Sequence, residues 1–128
     1  MLKKLFAILL LGGVMTLILI ACSATSDATS GASNQVHMNA TNFDQSSITI
    51  KKGESITLID DAPISHVIAN GTWENGTAKP ASEPDAPQVK DMQINGSGQG
   101  AIGPFTTDGT FHFYCTIHSG MTLTVVVR

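Results

Sequence analysis

The segment GTFHFYCTIHSGM, residues 109–121, combines a strand pattern with a short loop rich in metal-binding side chains. Alternate side chains of a β-strand share one face, so both phenylalanines lie on the same face as Cys115. We expect this face to point inward because phenylalanine is usually buried. The Cys115 thiol is then directed into the protein, and His118 and Met121 follow it at intervals of three residues. The segment therefore predicts a strand that ends at a buried site and a loop that folds two further donors over it.

A fourth donor, His66, lies in an upstream segment after the loop DDAPIS. Two imidazoles, one thiolate and a weakly bound thioether form the donor set of blue copper sites. Sulfur ligands favour Cu(I), and imidazole also accommodates Cu(II). Zinc is a poorer match because a thioether is not a usual zinc ligand. We predict one type 1 copper ion held by His66, Cys115, His118 and Met121.

Short alternating segments separated by turns cover the chain from residue 35 onward. Residues 47–50 and 55–59 alternate on either side of the turn KKGE, which predicts a hairpin-like pair. Residues 70–88 are rich in Gly, Pro, Asn and Ala, so we expect mostly loop there. No segment of this region has convincing helical periodicity. The pattern predicts an all-β domain, a sandwich or barrel of short strands.

The first 21 residues have the features of a secretory signal. Lys3 and Lys4 precede an apolar run over residues 5–20, and this order of charge and hydrophobicity is typical of signal peptides. A transmembrane helix is the alternative, but the run is short for one and ends in a processing-like site. The sequence around Cys22, LIAC, resembles the lipobox of bacterial lipoproteins, which implies that this cysteine receives a lipid.

Two further segments follow the signal. Residues 22–34 contain the expected lipidated Cys22 and a Ser/Thr-rich stretch that predicts a flexible tether. Residues 35–128 are long enough for one domain with one core. We therefore expect an exported protein that is lipid-anchored to a bacterial membrane and faces the periplasm or the cell exterior. With Cys22 acylated, Cys115 would be the only remaining thiol, and an exported thiol calls for a metal or a chemical role.

The domain resembles the cupredoxins, the family of plastocyanin, amicyanin and pseudoazurin. The resemblance rests on FYCTIHSGM at the ligand loop, on His66 upstream, and on NF followed by SITIKKGE near the start of the domain. It implies a Greek-key β-sandwich or barrel of about seven to eight strands, one blue copper ion, and single-electron exchange with redox proteins. Two positions differ from many relatives, which have Asn where this chain has Val67 and Pro where it has Ile117.

Charge and composition exclude other classes of function. Without the predicted signal the chain has five Lys and Arg against ten Asp and Glu, which disfavours nucleic acid as a partner. The leading hypothesis is a monomeric electron carrier at the outer face of a membrane. A copper storage or delivery lipoprotein is the alternative, although the Met-rich or His-rich tracts that would favour it are absent from the sequence. An enzyme is not expected, because the other histidines form no second metal cluster.

The two ligand loops are the loop DDAPIS before His66 and the loop that follows Cys115. Their positions predict which donor is closest to solvent. We expect Cys115 and His66 to be buried and His118 to present an edge to solvent. Apolar side chains from both ligand loops are then candidates for a docking rim around that edge: Pro63, Ile64 and Ile117. Of the other polar residues, Asp60 and Asp61 are expected in a solvated loop and His112 on the surface, and no role is assigned to Trp73.

Overall fold

The computed structural model describes residues 34–128, and within this range it contains β-strands and no helix. The predicted signal, Cys22 and all but the last residue of the predicted tether lie outside the described residues. The strands are β1 (Gln35–Met38), β2 (Ser47–Ile50), β3 (Ile56–Asp60), β4 (His66–Glu74), β5 (Thr77–Pro80), β6 (Met92–Ile94), β7 (Gln99–Ile102), β8 (Gly109–Cys115) and β9 (Thr122–Val127). The predicted all-β class is confirmed, with nine strands rather than seven to eight.

The strands form two sheets. In the smaller sheet β3 lies between β1, to which it is parallel, and β7, to which it is antiparallel. The larger sheet has the order β2-β9-β8-β4-β5, and β6 also pairs with β4. Strands β4, β8 and β9 lie at the centre of this sheet. His66 begins β4, Cys115 ends β8 and Met121 directly precedes β9, so the predicted donors lie at one end of these three strands.

The core lies between the two sheets and follows the alternation in the sequence. In β9 every second residue is buried, and in β8 the buried residues include Phe111, Phe113 and Cys115. Phe105 packs between the two strand phenylalanines, with ring centroids 5.6 Å from Phe111 and 6.0 Å from Phe113. The prediction that Cys115 shares an inner face with the phenylalanines is confirmed.

The predicted hairpin of residues 47–50 and 55–59 is wrong. β2 pairs in parallel with β9, whereas β3 belongs to the other sheet. The turn between them crosses from one sheet to the other, where Gly53 N–H donates to the Phe105 carbonyl (2.7 Å) and Phe105 N–H donates to the Glu54 carbonyl (2.8 Å). Alternation reports which side chains face the core, but it does not report which strand is the neighbour.

The predicted loop at residues 70–88 is also partly wrong. β4 continues to Glu74 and β5 returns antiparallel to it. The connecting residues Asn75 and Gly76 have φ values of 50° and 77°, as a tight two-residue hairpin turn requires, and Asn-Gly is the pair that best tolerates them. The composition of the segment hid this hairpin. The segment that follows β5 is held by Asn70, whose side chain accepts from Val89 N–H (2.6 Å) and donates to the Pro87 carbonyl (3.1 Å).

Candidate metal centre

Three of the four predicted donors converge at one end of the sandwich. A single ligand atom from each of His66, Cys115 and His118 lies within 4.8 Å of the other two. The Cys115 Sγ atom is 3.3 Å from His118 Nδ1, and the two imidazole rings are 4.9 Å apart with an angle of 60° between them. Residues that are distant in sequence are therefore brought together, as the donor pattern predicted.

Backbone pairing positions these side chains. Cys115 is the last residue of β8 and lies opposite Ile68 of β4, two residues beyond His66. The loop after Cys115 is closed by its own hydrogen bonds, because Cys115 N–H donates to the Met121 carbonyl (3.0 Å) and Met121 N–H donates to the His118 carbonyl (3.2 Å). Met121, the fourth predicted donor, is completely buried. The loop thus has little freedom to move relative to the strands.

The donors differ in exposure. His66, Cys115 and Met121 have 0% exposure, whereas His118 is partly exposed. The expected arrangement, with His66 inside and an edge of His118 outside, is confirmed. Burial, opposed by Asp60, lowers the pKa of His66 below its ordinary value. The ring is therefore neutral at pH 7, and neutral imidazole is the form that binds metal ions.

The residues present fit a bound copper ion. Both ring nitrogens of His66 are buried and neither meets the geometry of a hydrogen bond with a described residue, although the Asn39 backbone lies close enough to raise the pKa of the ring. A buried polar atom without a partner costs about 1–3 kcal/mol, and a coordination bond would satisfy one of the two nitrogens. The neighbouring thiol and second imidazole complete a set of soft and borderline donors suited to copper.

Comparison with known proteins agrees with this chemistry. The family model of copper binding proteins, the plastocyanin/azurin family, matches residues 30–128. The chain belongs to this family. Plastocyanin of Ulva prolifera is 34% identical over 88 residues, covering 67% of this chain and 86% of that protein. Plastocyanin of Scenedesmus fuscus is 30% identical over 78 residues, covering 61% and 76%. Family membership and donor set together identify the metal as copper.

Solved structures confirm the fold of this plastocyanin/azurin family member. Amicyanin from Paracoccus versutus has a TM-score of 0.58 and 19% identity, with 77% of this chain and 84% of that chain covered. A reduced Cu(I) form of an amicyanin variant at pH 4 has a TM-score of 0.58 and 19% identity, covering 77% and 85%. The predicted cupredoxin-like sandwich is thereby confirmed.

The two ligand loops are joined without the asparagine that many relatives have at position 67. Thr116 N–H donates to the Val67 carbonyl (2.8 Å), which ties the ligand loop to β4. The indole Nε1–H of Trp73 donates to the Cys115 carbonyl (2.8 Å), and Trp73 N–H donates to Thr122 Oγ1 (3.0 Å). Trp73, to which the sequence assigned no role, therefore spans both ends of the loop. The Asn75-Gly76 pair after it was the signal that could have extended β4 as far as Trp73.

Replacing Trp73 with phenylalanine is expected to destabilise the domain by about 1–3 kcal/mol, because the Cys115 carbonyl loses its indole donor while the aromatic packing on Tyr114 is largely kept. Urea unfolding of the copper-free protein measures the change. Thr77→Ala, at an exposed position of the same hairpin, serves as the control and should differ from wild type by less than about 0.5 kcal/mol. Equal stabilities of Trp73→Phe and the control would contradict the assigned contact.

The remaining polar residues lie outside the donor cluster. His112 is on the outer face of β8 as expected, but it is half-buried because its Nδ1 contacts the Glu83 carboxylate. Burial opposes ionisation of Glu83, yet its hydrogen bonds with His112 lower the pKa of Glu83 overall. Asp61 is exposed, as expected, and pairs with His37 (2.6 Å). The expectation that Asp60 is solvated is wrong, because this residue ends β3 and is only 2% exposed.

The apolar residues of the predicted docking rim are on the surface. Ile117 is 56% exposed and Ile64 is 39% exposed, and Pro63 is also exposed. The loop that carries Pro63 and Ile64 is hydrogen-bonded to the turn after β6, where Ser97 N–H donates to the Ala62 carbonyl (3.2 Å). Large exposed apolar side chains are therefore present in both ligand loops.

Proposed function

We propose that this chain is a type 1 blue copper electron carrier that shuttles single electrons between redox proteins at the outer face of a bacterial membrane. The observation that carries the proposal is a buried cluster of two imidazoles and a thiol, of which His118 alone is partly exposed. A closed, rigid site with one solvent-facing edge suits electron exchange, whereas an enzyme needs an open position for substrate. We therefore propose no catalytic role.

Each donor has a separate part in this proposal. Copper supplies a one-electron couple between Cu(I) and Cu(II). The Cys115 thiolate and the imidazoles of His66 and His118 would hold the copper ion, and Met121 would be a weaker fourth donor. The hydrogen bonds that close the ligand loop and the burial of three donors limit rearrangement between the two oxidation states. Reversible one-electron voltammetry of the copper-loaded protein tests the function. Copper that dissociates on each reduction would instead support storage or delivery.

The partly exposed His118 ring is the proposed point of electron exit. Pro63, Ile64 and Ile117 surround it in the proposal as a small apolar docking rim, which suits brief redox encounters because their interfaces are small. Ser119 and Gly120, which follow His118 in the loop, are exposed and small. They allow a partner to approach the ring closely. The partners are redox proteins, and the carrier acts as a monomer.

Ile117→Lys is expected to slow electron exchange with a native redox partner by roughly tenfold or more, because a charged side chain at the centre of an apolar contact must lose its hydration. Stopped-flow rates with the partner measure the effect, and the visible copper absorption should be unchanged. Ala101→Lys, at an exposed position of β7 opposite Thr57 of β3, is the matched control. Equal rates for the two variants would argue against the docking rim.

The membrane location rests on the N-terminal sequence. The order of Lys3 and Lys4, an apolar run and Cys22 supports export and acylation of that cysteine. Residues 22–34 would then tether the copper domain to the lipid. Among the described residues no helix is long and apolar enough to cross a membrane. Two or more acyl chains provide a stable anchor where a single chain does not.

Cys22→Ser is expected to remove the protein from the membrane fraction of its host, or to block processing of the signal, because serine offers no thiol for the lipid. Fractionation followed by mass spectrometry of the N-terminus measures the outcome. Ser23→Ala provides the adjacent control and should fractionate with wild type. Wild-type protein that is wholly soluble, with an unmodified N-terminus, would refute the anchor.

A further inference from the structure

A buried carboxylate lies beside the inner histidine. Asp60 ends β3, and its side chain has 0% exposure. Its Oδ1 atom accepts from Ala62 N–H (3.0 Å), while its Oδ2 atom has no hydrogen-bond partner among the described residues. A buried carboxylate is costly unless a positive charge or a donor compensates it. Ala62 N–H supplies one donor, and a metal cation held by His66 would supply the positive charge.

His66 is the group that faces this carboxylate. Its Nε2 atom lies 3.7 Å from Asp60 Oδ1, and the ring has 0% exposure. The separation is longer than a hydrogen bond, so the contact is electrostatic. Burial is the largest influence on the pKa of His66 and lowers it, and Asp60 is the largest influence in the opposite direction, ahead of the Asn39 backbone.

We propose that Asp60 is a positioning residue of the copper site, which orients the His66 ring and favours the oxidised state of the metal. The inference rests on the proposed function. With the Nε2 edge of His66 turned to the carboxylate, Nδ1 is the ring nitrogen left to bind the metal. Ligating histidines commonly direct their second nitrogen at a carboxylate or a carbonyl, and this partner determines ring orientation and ligand strength.

The direction of the effect follows from charge. With the Cys115 thiolate bound, the site carries a net charge of +1 with Cu(II) and zero with Cu(I). A buried negative charge nearby stabilises the first state more than the second, and this interaction is screened much less than it would be in water. Asp60 therefore lowers the reduction potential. The neighbouring Asp61 is half-exposed and paired with His37 on the surface, so its charge is expected to have little effect.

Asp60→Asn separates charge from shape. Asparagine keeps a side-chain oxygen for Ala62 N–H and nearly the same volume, but it removes the negative charge. We expect the preference for Cu(I) over Cu(II) to rise by about tenfold or more, which is about 59 mV in potential for each tenfold in a one-electron couple. Protein-film voltammetry measures the reduction potential. Asp61→Asn is the matched control, and we expect it to change the preference for Cu(I) over Cu(II) by less than twofold. Equal potentials for the two variants would overturn the proposal.

Redox-difference infrared spectra of wild-type protein give a second, independent test. Labelling aspartate with ¹³C should shift a carboxylate band that changes between the two oxidation states, and this band should persist in Asp61→Asn. If Asp60→Asn does not fold, the wild-type spectrum decides alone, and the absence of any label-sensitive band would overturn the inference. If the wild-type protein forms no blue copper site at all, the proposed function fails first, whereas a normal site with unaltered potentials refutes only the role of Asp60.

Discussion

Replacing Cys115 with serine is expected to abolish the intense visible absorption of the copper-loaded protein. That absorption arises from charge transfer between a thiolate and Cu(II), and a hydroxyl cannot replace the soft, covalent sulfur donor. Cys115 is completely buried and lies 3.3 Å from His118 Nδ1, and residues 34–128 contain no other cysteine that could take its place. The loss should be complete rather than partial, and the absorption spectrum of Cu(II)-loaded protein measures it.

The second cysteine of the chain provides the control. Cys22→Ser removes a thiol outside residues 34–128, and the copper-loaded variant should keep the full visible absorption. Circular dichroism of Cys115→Ser without metal should match that of wild type, since serine is smaller than cysteine and keeps the strand. Visible absorption that survives in Cys115→Ser, or that disappears in Cys22→Ser, would refute the assignment of the thiolate.

Phe113→Ala is expected to lower the free energy of unfolding by about 3–5 kcal/mol. The side chain is completely buried between the sheets and meets Phe105 edge-on, with ring centroids 6.0 Å apart. Truncation removes this contact and leaves a cavity directly beneath the strand that carries Cys115. Urea unfolding of the copper-free protein measures the change, and copper affinity should fall in parallel because the donors are held by the same strand.

Thr110→Ala is the matched control for this prediction, since it lies on the same strand at an exposed position. It should change stability by less than about 0.5 kcal/mol. A Phe113→Ala variant as stable as this control would show that the inner face of β8 is assigned wrongly.

The sequence was sufficient to predict the inner face of β8 and the donor set. Both follow from local patterns, because alternation places Phe111, Phe113 and Cys115 together and the loop places His118 and Met121 within a few residues of the thiol. His66 was predicted from donor chemistry and family resemblance, and the β4–β8 pairing brings it to the thiol. The burial of His66 and the partial exposure of His118 were also predicted, because only His118 lies in the loop between two strands.

Other features depend on contacts between distant segments. The crossing of residues 51–54 to the second sheet is determined by Phe105, about fifty residues later, so alternation alone suggested a hairpin. Trp73 gained its role through contacts with two distant positions, the Cys115 carbonyl and the Thr122 hydroxyl, which no local pattern indicates. Asp60 was expected in a solvated loop because the sequence shows no partner for a pair of carboxylates. It is instead the last residue of β3, where its N–H donates to the Gly98 carbonyl (2.9 Å) in a turn about forty residues later.

The visible absorption spectrum of the protein loaded with Cu(II) tests the central claim most directly. A site formed by His66, Cys115, His118 and Met121 predicts an intense band that ascorbate removes and reoxidation restores, with one copper per chain. A Cu(II)-loaded protein that is colourless, or a band that does not respond to reduction, would contradict the claim that this chain is a blue copper electron carrier.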